Sequence, residues 1–302
     1  MILAQLETLR AVRDRGGVGA AALALHLTPS AVSQQIAALA REVGAPLTER
    51  VGRGLRLTPA GEALAARADD VALAVSRAEA AVAELQDRPG GAVRVSAFQS
   101  AAQMLFPGLL TRLAGRPEIR VELSDDDVAQ AEFPGLTLDT DIVVAHRPDR
   151  SAPWGGGVRT VPLVREPLDL AVPLGHRLAD REQVVPEDLV DEEWIAVREG
   201  FPVAGVLDAV GRSAGVEPRI VQRINDFRVV EALVAAGHGI SLLPRYTADD
   251  RDGTRFRLVP IGGVAAARYV DALLRPDRAE RAVVRRVLDA LVAHAREVAA
   301  SR

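Results

Sequence analysis

The chain of 302 residues contains no cysteine and no lysine. The first absence removes disulfides, thiolate metal sites, iron–sulfur clusters and thiol nucleophiles together. The second removes a phosphate-loop lysine, Schiff-base chemistry and a lysine general base, because all 37 basic residues are arginine. Aromatic residues are scarce at 3%. No run reaches the 18 apolar residues that suggest a membrane span, and Met1 to Arg10 lacks the basic start and apolar core of a secretory signal. The expectation is a cytoplasmic protein. The five histidines, at 26, 146, 176, 238 and 294, are scattered with no paired helical spacing, so neither a metal site nor a cofactor is expected.

Charge is segregated along the chain. Residues 1–60 hold seven Arg against four acids, residues 61–88 hold three against six, and residues 89–302 hold 27 against 31. A small basic module before an acidic body suits a DNA reader followed by a sensor, although a balance of this size is also found on ordinary surfaces.

The basic module is legible residue by residue. Ile2, Leu6 and Leu9 predict an opening helix that closes at Gly16-Gly17, and a short second helix follows over Val18 to Leu25. Thr28 is a good N-cap and Pro29 fits the first position of a third helix. In that helix Val32, Ile36, Leu39 and Val43 form the expected buried face, and Gly44 is the stop. This packing leaves Ser30, Ser33 and Gln34 projecting near the N-terminal end, where a recognition helix meets base edges in a major groove. The alternation around Gly52 and Gly54 predicts a two-stranded wing, with Arg50, Arg53 and Arg56 available for phosphates or simply solvated.

From Thr58 the chain is rich in alanine, with no glycine between Gly61 and Gly90. Leu64, Ala68, Val71, Val75, Ala78, Val82 and Leu85 are spaced by alternating steps of four and three, a heptad seam narrow enough to want a partner helix. The alternative is a helix packed on its own domain. Arg88-Pro89-Gly90-Gly91 then breaks the helix.

Beyond residue 90 strands and helices alternate. Strands are expected at Val93–Ala97, Ile119–Leu123, Asp141–Ala145, Val158–Val164, Leu168–Val172, Trp194–Val197, Arg219–Ile224, Ile240–Leu243, Arg255–Pro260 and Arg268–Leu274. Helices are expected over Ser100–Ala114, Asp127–Phe133, Val203–Ser213, Phe227–Ala236 and from Pro276 to Ala299. Such alternation predicts parallel sheets covered by helices, an α/β architecture in two small lobes. Ser100 lies where a strand enters a helix after Phe98-Gln99, as a plain N-cap or as one of several donors holding a carboxylate. Phe201 and the pair Asp226-Phe227 precede two further helices, and the phenylalanines fit either a core or a cleft wall. His146 ends a strand and either lines a cleft or sits satisfied at the surface. Gly211-Arg212-Ser213-Ala214-Gly215 matches the G-x-S-x-G pattern of serine hydrolases, but a nucleophile elbow needs a strand before its serine and here a helix precedes.

The run Ala21-Ala22, Leu27-Thr28-Pro29-Ser30-Ala31-Val32-Ser33-Gln34-Gln35-Ile36, Leu39, Glu42-Val43-Gly44, Pro46-Leu47, Glu49-Arg50 and Leu57-Thr58-Pro59-Ala60-Gly61-Glu62 resembles the winged helix-turn-helix of LysR-type transcriptional regulators. Pro167-Leu168-Asp169-Leu170-Ala171-Val172-Pro173, Gly175-His176, Trp194-Ile195-Ala196 and Val234 to Pro244 resemble that family's effector-binding domain. The resemblance implies a winged helix-turn-helix at 1–58, a linker and dimerisation helix at 59–88, and a two-lobed domain with the periplasmic-binding-protein fold at 89–302. By analogy one lobe is 91–162 with 268–302 and the other is 163–267. It further implies operator contact by Thr28, Pro29, Ser30, Ser33, Gln34, Arg50, Arg53 and Arg56. An effector would lie between the lobes, near Gln99, Ser100, His146, Phe201, Asp226 and Phe227. A homodimer or homotetramer without catalytic activity is implied, sensing an organic acid or amino acid. A solute-binding receptor would explain the lobes but not residues 1–58, and a hydrolase using Ser213 conflicts with the order of elements.

Overall fold

The computed structural model describes residues 3–52, 54–85, 90–149, 151–152, 154–155 and 157–301. Ile2, Arg53, Arg88 and Pro89 lie outside the described residues, as does the side chain of Leu85. The chain divides into two bodies: Met1–Asp87 with Pro276–Arg281, and Arg88–Arg275 with Ala282–Arg302.

In the first body, α1 (Leu3–Arg15), α2 (Val18–Ala24) and α3 (Pro29–Val43) precede the wing strands β1 (Thr48–Val51) and β2 (Gly54–Leu57) and the long helix α4 (Pro59–Leu85). The core is Leu6, Leu9, Val12, Ala21, Ala22, Val32, Ile36 and Leu39, closed by Leu47 and Leu57 at the foot of the wing. Thr28 caps α3 by accepting from the Ala31 amide at 3.1 Å, and Gly44 ends it with φ of 76°. Val43 is not on the buried face: it stands 45% exposed, because the three-helix core ends at Leu39. Gly61 marks a close approach, since a Cβ there would fall 2.1 Å from the Leu47 carbonyl oxygen. The Thr58 hydroxyl donates to the Pro46 carbonyl at 2.7 Å and accepts from the Gly61 amide at 3.1 Å, so it caps α4 and fixes the wing to it.

The expected heptad seam divides in two. Ala68 is buried in the module's own core together with Ala65, and Leu64 and Val71 pack against it. Val75 is half-buried, whereas Ala78 and Val82 are exposed. The first half of the stripe therefore serves its own domain, because α1 lies against it, and only the outer half is uncovered. The expected C-terminal helix is also interrupted. A short turn α9 (Pro276–Ala279) packs on α4 as part of the first body, with Asp277 3.0 Å from Arg10.

The second body contains β3 (Gly91–Ala97), α5 (Gln99–Leu113), β4 (Ile119–Asp125), α6 (Phe133–Leu136), β5 (Ile142–Pro148) and β6 (Arg159–Val172). It continues with β7 (Glu193–Ala196), α7 (Pro202–Ala214), β8 (Arg219–Arg223), α8 (Phe227–Ala235), β9 (Ser241–Pro244), β10 (Arg257–Val259), β11 (Ala267–Leu274) and α10 (Ala282–Ala300). The sheet is mixed, not parallel: it runs β10-β6-β11-β5-β3-β4 with β9 also on β6, and only β3–β4 and β3–β5 are parallel within it. β7 and β8 form a separate parallel pair. The two strands expected over 158–172 are one 14-residue strand, and the helix expected at 127–133 is a 3-10 turn over Gln130–Glu132 leading into α6.

The mixed sheet and the single long strand have one cause. β6 pairs β11 along Arg159 to Pro167 in the first lobe, then pairs β9 and β10 from Leu168 onward in the second. The chain leaves the first lobe on β6 and comes back on β11, so β11 runs against both β5 and β6. The return delivers residue 268 to the junction of the lobes.

Candidate functional site

On the first body, the N-terminal turns of α3 carry Ser30, Ser33 and Gln34, all exposed beside exposed Thr28 and Pro29. Ser33 donates to the Pro29 carbonyl at 2.9 Å, which leaves its oxygen as an acceptor toward solvent. Gln35, one position on, turns inward and is 2.5 Å from Thr8. Arg50 and Arg56 are exposed on the wing strands, while Arg53 lies outside the described residues. Exposed acceptors and amides at a helix N-terminus, flanked by guanidinium groups, match a major-groove reader with phosphate anchors.

On the second body, a recess opens where the lobes meet. It is narrow, with a free volume of about 20 Å3. Its lining includes Phe98, Gln99 and Ser100 at the start of α5, His146 on β5, Phe201 and Val203 at the start of α7, Phe227 at the start of α8, and Asp127, Asn225 and Arg268. Helices of 15, 13 and 9 residues thus begin at one point, and their amide dipoles favour negative charge there. The lobes touch beside the recess, where the Gln130 amide donates to the Gly200 carbonyl at 3.2 Å.

Arg268 organises the floor. It is 1% exposed on β11, opposite Glu166 of β6, which is 0% exposed. The guanidinium Nε and Nη2 donate to Glu166 Oε2 at 2.9 and 2.6 Å, and Nη2 also donates to Ser100 Oγ at 2.8 Å. Nη1 lies 3.4 Å from His146 Nδ1. A guanidinium only donates, so Nδ1 is the acceptor and the imidazole proton sits on Nε2. That Nε2 is buried and has no hydrogen-bond partner among the described residues. Burial, and then the charge of Arg268, hold His146 well below the ordinary histidine pKa, so it is neutral. Its ring stacks on Phe98 with centroids 4.0 Å apart, and Arg268 lies over the rings of Phe98 and Phe227 at 4.8 and 5.9 Å.

Asp127 stands at the mouth. The surrounding protein pushes its carboxyl pKa above the ordinary value, offset in part by Arg268, Asn225 and Arg198.

Five of the six expected effector residues meet at this recess. His146 is buried in its wall and is no surface histidine, and Phe201 and Phe227 both line it and pack on the second lobe's core. Asp226 does not line it: its carboxylate accepts from the Arg228 amide at 2.8 Å as the cap of α8. The sequence reading missed Arg268, Glu166 and Asp127. Strand alternation would assign isolated charges in Val164-Arg165-Glu166-Pro167 and Ala267-Arg268-Tyr269 to solvent, and only the β6–β11 register reveals that two of them face each other. Ser213 lies in the last turn of α7, with Gly215 left-handed at φ of 71° behind it, which is a helix end and not a strand-to-helix elbow.

A helix-turn-helix module with a wing, joined to a two-lobed domain with a recess between the lobes, defines a ligand-responsive DNA-binding protein. Two family models agree with that class. Residues 3–62 match the bacterial regulatory helix-turn-helix protein of the lysR family, and residues 86–296 match the LysR substrate binding domain. The chain belongs to the LysR family of DNA-binding transcriptional regulators, with an effector-binding domain. It is 28% identical over 283 residues to the HTH-type transcriptional regulator CbbR of Xanthobacter flavus, covering 91% of this chain and 83% of that one. It is 30% identical over 256 residues to MetR of Salmonella typhimurium, covering 81% and 75%. A full-length OxyR variant from Pseudomonas aeruginosa shares the fold, with a TM-score of 0.66 at 21% identity over 98% of both chains. Among the described residues no helix is long and apolar enough to cross a membrane.

Proposed function

We propose that this regulator works in the cytoplasm without catalytic activity, reads its operator with Ser30, Ser33 and Gln34, and anchors on phosphates through the wing arginines. It associates as a homodimer or homotetramer through the outer half of α4, where Val82 and Ala78 are uncovered. The effector, an organic acid or amino acid, enters the recess between the lobes of the second body. The observation that carries the effector assignment is the donor cluster on the recess floor. There the Ser100 hydroxyl and the first amides of α5 border one space, and the buried His146 Nε2–H, which has no partner among the described residues, lies in its wall. A buried donor without a partner costs free energy unless a ligand answers it. A ligand held by both lobes binds their closed arrangement preferentially, and such differential affinity is what any population shift requires.

The test is operator affinity, with and without candidate acids, for the parent and Ser100→Ala. In the parent the ligand changes the affinity or the footprint, and in the variant the response is lost. A variant that responds like the parent places the effector elsewhere.

A further inference from the structure

The recess has a chemical polarity from floor to mouth that selects among acids. Its floor offers donors: the Ser100 hydroxyl, His146 Nε2–H and the α5 amides. The positive charge among its described lining residues, Arg268, is already matched, because Glu166 takes two of the guanidinium bonds at 2.9 and 2.6 Å and both groups are buried. The next charged group on the lining is Asp127 at the mouth, an acceptor beside Asn225. Asn225 is itself fixed, its side-chain oxygen accepting from the Arg198 amide at 2.9 Å. With Arg268 and Glu166 cancelling, Asp127 is the charge left on the lining itself, and Arg198, which acts on Asp127, stands off that lining. A dicarboxylate or phosphate ester would bring one anionic group to the helix N-termini and press the other against that carboxylate. A ligand with a carboxylate at one end and a cation near it satisfies both ends.

We propose that the effector is a zwitterionic α-amino acid, its carboxylate on the Ser100–His146 floor and its ammonium group on Asp127, which makes Asp127 the residue that discriminates amino acids from other acids. The inference rests on the recess being the effector site. The phenylalanine rings at positions 98, 201 and 227 wall the space beside the carboxylate, and with only about 20 Å3 free between the lobes as they stand, a small side chain demands less opening than a long one. The neutral state of His146 matters here too, since an uncharged imidazole donates to a carboxylate without adding a charge that would favour a second anion.

The experiment screens the full-length protein by thermal shift against the twenty common L-α-amino acids, succinate and inorganic phosphate. The best amino acid is then titrated calorimetrically beside its 2-hydroxy analogue and its decarboxylated amine. The expected result is that one or more amino acids bind and that both analogues bind at least about ten-fold more weakly. Asp127→Asn then weakens the amino acid by about ten-fold to a hundred-fold, as loss of a charged hydrogen bond does, while moving the 2-hydroxy acid by less than about three-fold. Asp127→Glu restores part of the loss. Asp127 lies on an exposed loop, so a melting temperature close to parent separates a lost contact from a lost fold. Binding of no amino acid, equal binding by parent and Asp127→Asn, or tighter binding of succinate or phosphate overturns the proposal. If such an acid binds and depends on Ser100, the recess remains the effector site and only the ammonium contact is wrong. Binding indifferent to both Ser100→Ala and Asp127→Asn overturns the site assignment as well.

Discussion

Replacing Arg268 by methionine would test how the second body is held together at its centre. Arg268 and Glu166 are 1% and 0% exposed, so solvent does not screen the pair. Removing the guanidinium deletes both bonds to Glu166 Oε2 and the 2.8 Å bond to Ser100. Among the described residues the Glu166 carboxylate then keeps the Tyr246 amide alone, at 3.3 Å on Oε1. Breaking one side of a buried pair costs about 3–5 kcal/mol, because the remaining charge is left uncompensated. Methionine suits the space between the rings of Phe98 and Phe227, so cavity formation adds little. The double variant Arg268→Met/Glu166→Gln removes the stranded charge and should recover about 2–3 kcal/mol of the loss.

The assay is built into the sequence: both tryptophans, Trp154 and Trp194, belong to the second body, so intrinsic fluorescence reports that body alone. At about 2–4 °C per kcal/mol for a domain of this size, the single variant should melt about 6–20 °C lower. A shift under about 2 °C, or a double variant no more stable than the single one, would refute the view that this ion pair is an essential tie.

Three further outcomes are expected. Gln34→Ala should cost about 1–3 kcal/mol on the operator and relax base preference, whereas Arg50→Ala should weaken all sequences alike and lower the salt slope by about one; anisotropy titrations across salt concentrations distinguish these. Val82→Asp should yield a smaller species in light scattering without lowering the melting point of the first body, since Val82 is 57% exposed and plays no part in that core; an unchanged mass would remove α4 from the interface. His146 is kept neutral by burial, so below about 6.5 the unfolded chain binds a proton that the fold excludes, and stability falls by up to about 1.4 kcal/mol per pH unit. His146→Phe should flatten that acid slope in fluorescence melts, and parallel slopes would show that His146 does not titrate on unfolding.

How legible each feature was depended on how local its cause is. The Thr28 cap, Pro29 at the first helical position, the Val32-Ile36-Leu39 stripe and the Gly44 stop are all settled within one turn of helix, and each appears where the sequence places it. The seam on α4 was legible as a periodic stripe but not as to its partner: Ala68 and Val82 look alike in a heptad, and only the position of α1 buries one and leaves the other uncovered. The same limit made two strands of β6, whose change of partners at Pro167 and Leu168 cannot be inferred from the strand alone.

By itself, then, the sequence determined the helices, caps and wing of the DNA-reading module, because caps, turns and helical periodicity are encoded over a few neighbouring residues, while the loops at the recess were indicated by the family resemblance. The tertiary structure alone decided what lies on the recess floor. Glu166 and Arg268 are 102 positions apart, and each by itself resembles a solvated charge on a strand. They become a buried pair only when β11 returns beside β6 in a register that sets them opposite one another, and a register between distant strands is fixed by the packing of the whole sheet.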